Sequence, residues 1–344
     1  MIAALALLVQ AAAGAPPAFT AATFDPLVLD GIRRRAYPGA ALVIGRRDTI
    51  LFAKAYGRLT WGAGAPVSVD STLWDLASLT KVIATTTALM LLVERGRVDL
   101  DAPGARYLPE FTGKGTAAIT VRHLLTHTSG LRATLPLREA RDAAAALRMV
   151  LGTTPIAPPG SRMVYSDVNA ILLGEIVRRA AGEPLDAFAA REVFAPLGVG
   201  GEMMFHPPRR LERAGRIAPT GVWRGHPIAG VVNDPNAAKL GGVAGHAGLF
   251  GTAPAVARFA QLMLREGELS DGTRLLAAET VRRFTRIAVP ARRGASARTL
   301  GWEALPTGET VSSAGALLGP HAYGHTGWTG TSLWLDPDCD VFIL

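Results

Sequence analysis

A segment of twelve residues without a charged side chain, Val82 to Val93, is the strongest constraint on how this chain can fold. All its residues are apolar except three threonines, so a helix formed by them is apolar on every side. Such a helix has to lie inside the protein, because in water it would expose hydrocarbon on all of its faces. Glu94, Arg95 and Gly96 then supply a polar last turn and a glycine stop. We therefore predict a buried helix that ends near Gly96.

Ser78 and Lys81 lie just before this segment. Side chains three residues apart on a helix point the same way, so the Lys81 amine can reach the Ser78 hydroxyl. A serine hydroxyl is a poor nucleophile until a base takes its proton, and a lysine can be that base once burial or a neighbouring cation lowers its pKa. A chance Ser-x-x-Lys is the alternative. Only four of the 36 basic residues are lysines, so a lysine on an apolar helix favours the catalytic interpretation.

The first residues have the pattern of an export signal. Met1 to Val9 form an apolar run, and Ala13-Gly14-Ala15 has the small-x-small form of a cleavage site, although the usual basic start is missing. The run is too short to cross a bilayer as a helix. We predict a signal peptide over residues 1–15, a periplasmic or secreted protein, and no stable membrane span.

The distribution of charge, the cysteine count and the histidine spacing argue against nucleic-acid binding, an internal disulfide and a metal site. The net charge of +8 is distributed over arginine pairs without interleaved aromatic residues, which favours a solvated surface over nucleic-acid binding. Cys339 is the single cysteine and excludes an internal disulfide. His123 and His127 have a metal-like spacing, but no acidic partner lies between them, so we expect structural roles and no metal or other cofactor.

Strand patterns occur near both ends of the chain. Residues 40–45 and 49–53 form a predicted hairpin, and short apolar runs after residue 300 predict three or four antiparallel strands, including 323–328 and 331–335. The glycine-rich segment 241–250 lacks the context of a nucleotide-binding loop and is expected to let backbone approach backbone beside a cleft.

Tyr165 stands in a predicted loop just before a helix that Ser166 or Asp167 can cap. A loop tyrosine usually packs with its hydroxyl in water. Near a cationic lysine, however, it could ionise and act as a general base.

Three motifs in this order, Ser78-Leu79-Thr80-Lys81, Tyr165-Ser166-Asp167 and His325-Thr326-Gly327, resemble the motifs of the serine β-lactamase and penicillin-binding-protein superfamily. The similarity is greatest to the class C β-lactamase-like branch, which includes D,D-carboxypeptidases, D-aminopeptidases and carboxylesterases. It implies an α+β fold, with an antiparallel sheet flanked by helices and an inserted helical subdomain. The implied domain covers residues 20–344, with the sheet region at about 20–110 and 240–344 and the helical subdomain at about 111–239.

The resemblance also implies a role for each motif residue. Ser78 would be the acylated nucleophile, Lys81 its activating partner and Tyr165 the proton shuttle. The backbone N–H groups of Ser78 and Trp328 would form the oxyanion hole. The expected substrate-binding residues are Asp167, Asn169, His325, Thr326, Gly327 and Trp328.

Two departures from the usual motifs bear on the substrate. Asp167 replaces an asparagine whose amide would bind an acylamino carbonyl, and His325 replaces the lysine of β-lactamases. Histidine near its ordinary pKa is partly charged at neutral pH, so His325 is the expected cation for a substrate carboxylate. The predicted function is a serine hydrolase acting through an acyl-enzyme on D-alanyl peptides of cell-wall type or on small esters. The alternatives are a catalytically silent cell-wall-binding protein and a weak β-lactamase.

Overall fold

The computed structural model describes residues 19–62, 64–223, 226–292, 295–305, 313–315 and 318–344. The predicted signal peptide, residues 1–15, lies outside this part of the chain. Among the described residues, no helix is long and apolar enough to cross a membrane.

A seven-stranded antiparallel sheet contains segments from both ends of the chain, in the order β2-β1-β12-β11-β10-β9-β8. This confirms the predicted antiparallel sheet. The strands are β1 (Gly39–Gly45), β2 (Ile50–Gly57), β8 (Ala297–Arg298), β9 (Glu303–Ala304), β10 (Tyr323–Thr326), β11 (Ser332–Asp336) and β12 (Val341–Ile343).

The central helix is the buried helix that the apolar segment predicts. It enters through a turn at Ser78, continues as a π-helical part, Lys81–Thr86, and ends as α2 (Thr87–Glu94). The wider π turns accompany a bond from the Thr87 hydroxyl to the carbonyl oxygen of Val82, five residues back. Val82 and Leu89 are completely buried, as an all-round apolar helix requires.

Helices cover both faces of the sheet. Helix α1 (Ala21–Arg33) packs Phe24 against Phe52 of β2, with ring centroids 4.8 Å apart. On the other face, α9 (Ala253–Leu264) packs against β1, β11 and β12. The remaining helices are α3 (Val121–Leu125), α4 (Ala143–Leu151), α5 (Asp167–Ala181), α6 (Leu185–Ala189), α7 (Arg209–Arg213), α8 (Pro235–Lys239) and α10 (Ala278–Thr285).

The region 111–239 is rich in helix but is not purely helical. Its strand β4 (Met203–Phe205) pairs with β7 (Leu249–Thr252), which also pairs with β3 (Leu73–Asp75), the strand that leads to Ser78. In addition, β5 (Gly221–Trp223) and β6 (His226–Ile228) pair as a hairpin. The sequence reasoning missed these pairings, because each strand is three or four residues long and shows no readable alternation.

Candidate active site

Ser78 lies in the turn between β3 and the central helix. The preceding residue, Ala77, has a φ of 46°, and its N–H donates to Asp75 Oδ1 over 2.9 Å. The other carboxylate oxygen of Asp75 accepts the N–H of Asn233 at 2.7 Å. Burial raises the pKa of Asp75, although these two N–H donors oppose the rise. The Asp75 carboxylate therefore links Ala77, the strained residue before Ser78, to the loop around residue 233.

Lys81 lies beside Ser78 and is almost completely buried. Its Nζ donates to Ser78 Oγ at 3.0 Å and to the carbonyl oxygen of His246 at 3.2 Å, and it forms an ion pair with Asp167 Oδ1 at 2.8 Å. Burial by itself would lower the pKa of Lys81, but the attraction of Tyr165 and Asp167 outweighs it and the pKa is raised. The predicted contact with Ser78 is present. The expectation of a lowered lysine pKa is wrong, because that expectation left out the Asp167 carboxylate.

Tyr165 is surrounded by cationic and imidazole groups. Its ring lies 4.9 Å from Lys81 Nζ and 5.4 Å from the guanidinium carbon of Arg298. The rings of His127 and His325 approach to 4.8 Å and 5.6 Å, measured between centroids. The loop position predicted for Tyr165 is observed, and the next residue, Ser166, caps α5 by accepting the N–H of Asn169. Two cationic groups therefore lie against the Tyr165 ring.

His127 has the structural role expected of it. Its Nδ1 accepts the backbone N–H of Ser166 at 3.2 Å, which anchors the residue next to Tyr165. Burial, followed by repulsion from Arg298 and Lys81, holds the pKa of His127 well below its ordinary value. His123 forms a capping box with Thr120 at the start of α3. Among the described residues, no group of three or more histidine, cysteine or acidic side chains is arranged to hold a metal ion.

Asn169 lies in the interior, away from the substrate-binding position expected for it. The residue has no exposed surface; its Oδ1 accepts the Ser129 hydroxyl at 2.6 Å, and its Nδ2 is 3.4 Å from His127 Nδ1. Helix periodicity explains the difference, since two residues after Asp167 the α5 helix has turned about 200° and faces the core. Asn169 therefore supports the His127 ring.

His325 projects from β10 towards Tyr165 and is buried. Its Nδ1 lies 2.7 Å from the carbonyl oxygen of Thr326, which can only accept, so Nδ1 carries the proton and Nε2 is left as an acceptor. Burial, and then repulsion from Lys81 and Arg298, lowers the pKa of His325 to about 3. The expectation that His325 supplies a positive charge near neutral pH is therefore wrong.

Arg298 is a site residue that the sequence reasoning missed. It projects from β8, is 6% exposed, and lies over the Tyr165 ring. Its Nε and Nη1 have no hydrogen-bond partner among the described residues, and Nη2 is 3.9 Å from Glu303 Oε2. Burial lowers the pKa of Arg298 from its ordinary value, but an arginine remains charged. The chain has 32 arginines, and nothing in the sequence around Arg298 indicates that this one is buried beside Tyr165.

The turn between β10 and β11, which carries Trp328, packs against the residues just before Ser78. The hydroxyls of Thr329 and Thr331 donate to the carbonyl oxygens of Asp75 and Leu76, at 2.6 and 3.1 Å. A Cβ on Gly327 would lie 2.7 Å from the Leu76 oxygen, so only glycine permits this approach. The backbone N–H groups of Ser78 and Trp328 have no partner among the described residues, as an oxyanion hole requires. The Trp328 side chain is 92% exposed.

The glycine-rich segment lies where backbone approaches backbone, as predicted. A Cβ on Gly245 would lie 1.9 Å from the carbonyl oxygen of Ala170 in α5. The Gly245 carbonyl accepts the Thr85 hydroxyl at 2.8 Å, and the next carbonyl, that of His246, accepts from Lys81. The His246 ring bonds to Asp234 at 2.9 Å. The close contact of the glycine-rich segment with α5 therefore positions the His246 carbonyl oxygen, one of the acceptors around Lys81 Nζ.

A cavity of about 500 Å³ lies beside this site and not on it. It is mainly apolar and is lined by α1, β1 and β11 together with Leu76 and Trp328, whereas Ser78 and Lys81 do not line it. The chemistry is located by the convergence of polar groups around Ser78 and not by cavity size.

Three comparisons agree with this geometry. A curated protein of Escherichia coli K12, named "Putative D-alanyl-D-alanine carboxypeptidase", is 33% identical over 336 residues, which cover 88% of this chain and 76% of the relative. A penicillin-binding-protein homologue from Caulobacter crescentus superposes with a TM-score of 0.73 at 21% identity, covering 94% of this chain and 90% of its own. A family VIII carboxylesterase superposes with a TM-score of 0.74 at 23% identity, covering 95% and 90%.

At these identities the two solved structures show the fold alone. The sequence profile described as Beta-lactamase matches residues 21–344, which is nearly the whole chain. The chain therefore belongs to the beta-lactamase family of serine hydrolases, within the superfamily that also contains the penicillin-binding proteins.

Proposed function

We propose that the protein is a D,D-carboxypeptidase that forms an acyl-enzyme on Ser78 and removes a terminal D-amino acid from cell-wall-type peptides. The 3.0 Å contact between Lys81 Nζ and Ser78 Oγ supports the assignment of nucleophile and base. Ser78 Oγ attacks the scissile carbonyl carbon, and the Ser78 and Trp328 N–H groups receive the developing oxyanion. A periplasmic or secreted location suits such a substrate and stays a prediction.

Proton transfer completes the cycle. The serine proton passes to Lys81, and Tyr165 gives its own proton to the leaving nitrogen, so the terminal D-amino acid departs as an amine; Lys81 then returns the serine proton to Tyr165. Water then attacks the ester carbonyl, and its second proton returns to Ser78 as the peptide acid is released. Asp167 and Thr326 border the substrate position, where each is partly exposed.

Arg298 is the observation that favours a peptide over a simple ester. A carboxypeptidase has to hold its substrate's terminal carboxylate, whereas an esterase does not. A buried guanidinium with two nitrogens unpaired among the described residues is costly and suits a carboxylate, which accepts two parallel N–H bonds. His325 is neutral, and its free Nε2 would accept a hydrogen bond from the substrate. The names of the curated relatives point to the same substrate class.

The first test asks whether Ser78 is a nucleophile. The purified protein is incubated with a fluorophosphonate or a fluorescent penicillin, and the modified residue is located by peptide mass spectrometry. An adduct on Ser78 is expected. A folded protein without an adduct would contradict the enzyme assignment and favour the silent binding protein.

The second test separates peptide from ester. Arg298→Gln removes the charge and keeps a polar side chain, so kcat/KM should fall at least about 100-fold for a D-alanyl-D-alanine peptide, the cost of one charged hydrogen-bonded contact. The value for an uncharged p-nitrophenyl ester should change less than about tenfold. The exposed Arg210→Gln is the matched control and should alter neither activity. Equal losses on both substrates would reject the carboxylate role, and brisk ester hydrolysis with no peptide hydrolysis would favour a carboxylesterase.

A further inference from the structure

Three acceptors lie within hydrogen-bonding distance of Lys81 Nζ, and the Tyr165 hydroxyl also interacts with it. An ammonium carries three N–H donors, and Ser78 Oγ, the His246 carbonyl oxygen and Asp167 Oδ1 lie at 3.0, 3.2 and 2.8 Å from the nitrogen. The shortest of the three contacts is the one to the carboxylate. The arrangement therefore stabilises Lys81 in its charged form.

Asp167 supplies the carboxylate that contacts Lys81. It is the first residue of α5, and its side chain is 27% exposed. An asparagine of the same size would accept a hydrogen bond from Lys81 but would bring no negative charge. The difference between the two residues is therefore electrostatic, and it acts directly on the base of the proposed mechanism.

The other charged or titratable groups around Lys81 do not replace Asp167. Arg298 is a cation, and His127 and His325 are neutral imidazoles near pH 7 because burial, together with repulsion from Arg298 and Lys81, holds their pKa values low. Asp234 is engaged with the His246 ring. The facing groups are Tyr165 and Asp167 at the start of α5, His127 after α3, Asp234 at the start of α8, His246 between α8 and β7, Arg298 on β8 and His325 on β10.

We propose that Asp167 is the third member of a Ser78–Lys81–Asp167 relay, a positioning residue that stabilises the ammonium formed when Lys81 takes the serine proton. The logic is that of a nucleophile, a base and a group that orients the base. The neutral amine of Lys81 accepts the Ser78 proton while the Ser78 oxygen bonds to the carbonyl carbon, and the negative charge moves to the carbonyl oxygen. This inference rests on the proposed role of Ser78.

The relay makes a prediction about pH. Because the carboxylate favours the ammonium, the neutral amine is scarce at neutral pH, and Ser78 becomes reactive only as the pH rises. Asp167→Asn should move the pH at which Ser78 becomes reactive down by at least about 1 unit, the usual size of one close opposite charge. Asp167→Glu keeps the charge and should stay within about half a unit of wild type. A role in packing alone would lower reactivity at every pH without moving the profile.

The experiment measures the rate of Ser78 modification by a fluorophosphonate between pH 6 and 10, by intact-protein mass spectrometry. In this reaction Ser78 Oγ bonds to phosphorus, fluoride leaves and the proton passes to Lys81, so no knowledge of the natural substrate is needed. Wild type without labelling would reject the proposed function. Labelled wild type with an unshifted profile in Asp167→Asn would reject the relay alone.

A second measurement covers the case in which Asp167→Asn does not fold. The chain has four lysines, so wild-type protein labelled with ¹³C at lysine Cε gives few signals, and Lys81→Arg identifies the one from Lys81. The Lys81 signal should keep its ammonium position from pH 6 to about 9, above which an ordinary lysine begins to titrate. Loss of the proton below pH 8 would overturn the relay.

Discussion

Stability at acid pH tests the buried, neutral state of His325. Its pKa is about 3 in the folded protein, whereas an unfolded chain gives about 6.5. The unfolded state therefore binds a proton more readily, and the free energy of unfolding falls as the pH drops from about 6.5 towards 3. The loss from this one residue is about 2 kcal/mol between pH 8 and pH 5, and about 4 kcal/mol by pH 3.

The perturbation is His325→Gln, which removes the titration and keeps a polar side chain. Urea unfolding at pH 8 and pH 5 gives the change in unfolding free energy for each protein. The change should be smaller by about 2 kcal/mol in His325→Gln than in wild type. The pKa of His127 is also lowered, and this residue is present in both proteins. Both proteins should therefore lose some further stability at acid pH.

The exposed His226→Gln is the matched control, since water surrounds that ring in both states. Its loss between pH 8 and pH 5 should equal that of wild type. If His325→Gln also loses as much stability as wild type, to within about 0.5 kcal/mol, the neutral-histidine reasoning is refuted. His325 would then be charged near neutral pH, and the substrate carboxylate could be assigned to it instead of Arg298.

Three further predictions follow from contacts in the site. Lys81→Arg keeps the charge but cannot accept a proton, so ester hydrolysis should fall at least about 100-fold in a folded protein; activity within about tenfold of wild type would overturn the base assignment. Gly245→Ala forces a Cβ to within 1.9 Å of the Ala170 oxygen and should destabilise by about 3 kcal/mol or more in urea unfolding. Gly200→Ala, with no atom within 4 Å, should stay within about 0.5 kcal/mol, and equal effects would contradict the close approach. Asn169→Ala should cost about 1–3 kcal/mol of stability with KM for an ester nearly unchanged; a raised KM at full stability would return Asn169 to the substrate site.

The sequence alone determined the parts that depend on neighbouring residues. The absence of charge from Val82 to Val93 required a buried helix, and the spacing of Ser78 and Lys81 placed their side chains together. Short apolar runs near both ends of the chain predicted the antiparallel strands. These inferences succeed because helix and strand periodicities are local, so a short stretch carries the whole signal.

Only the tertiary structure decided the charges of the site. Lys81 was expected to have a lowered pKa and has a raised one: burial lowers it, but the attraction of Tyr165 and of Asp167, 2.8 Å away, outweighs burial. His325 was expected to be a cation and is neutral, because burial and two neighbouring cations oppose its charge. Arg298 reaches the site from β8, a strand at the edge of the sheet, and no pattern in the sequence indicated this position. Desolvation and Coulombic forces act through space between residues far apart in the chain, so the fold decides them.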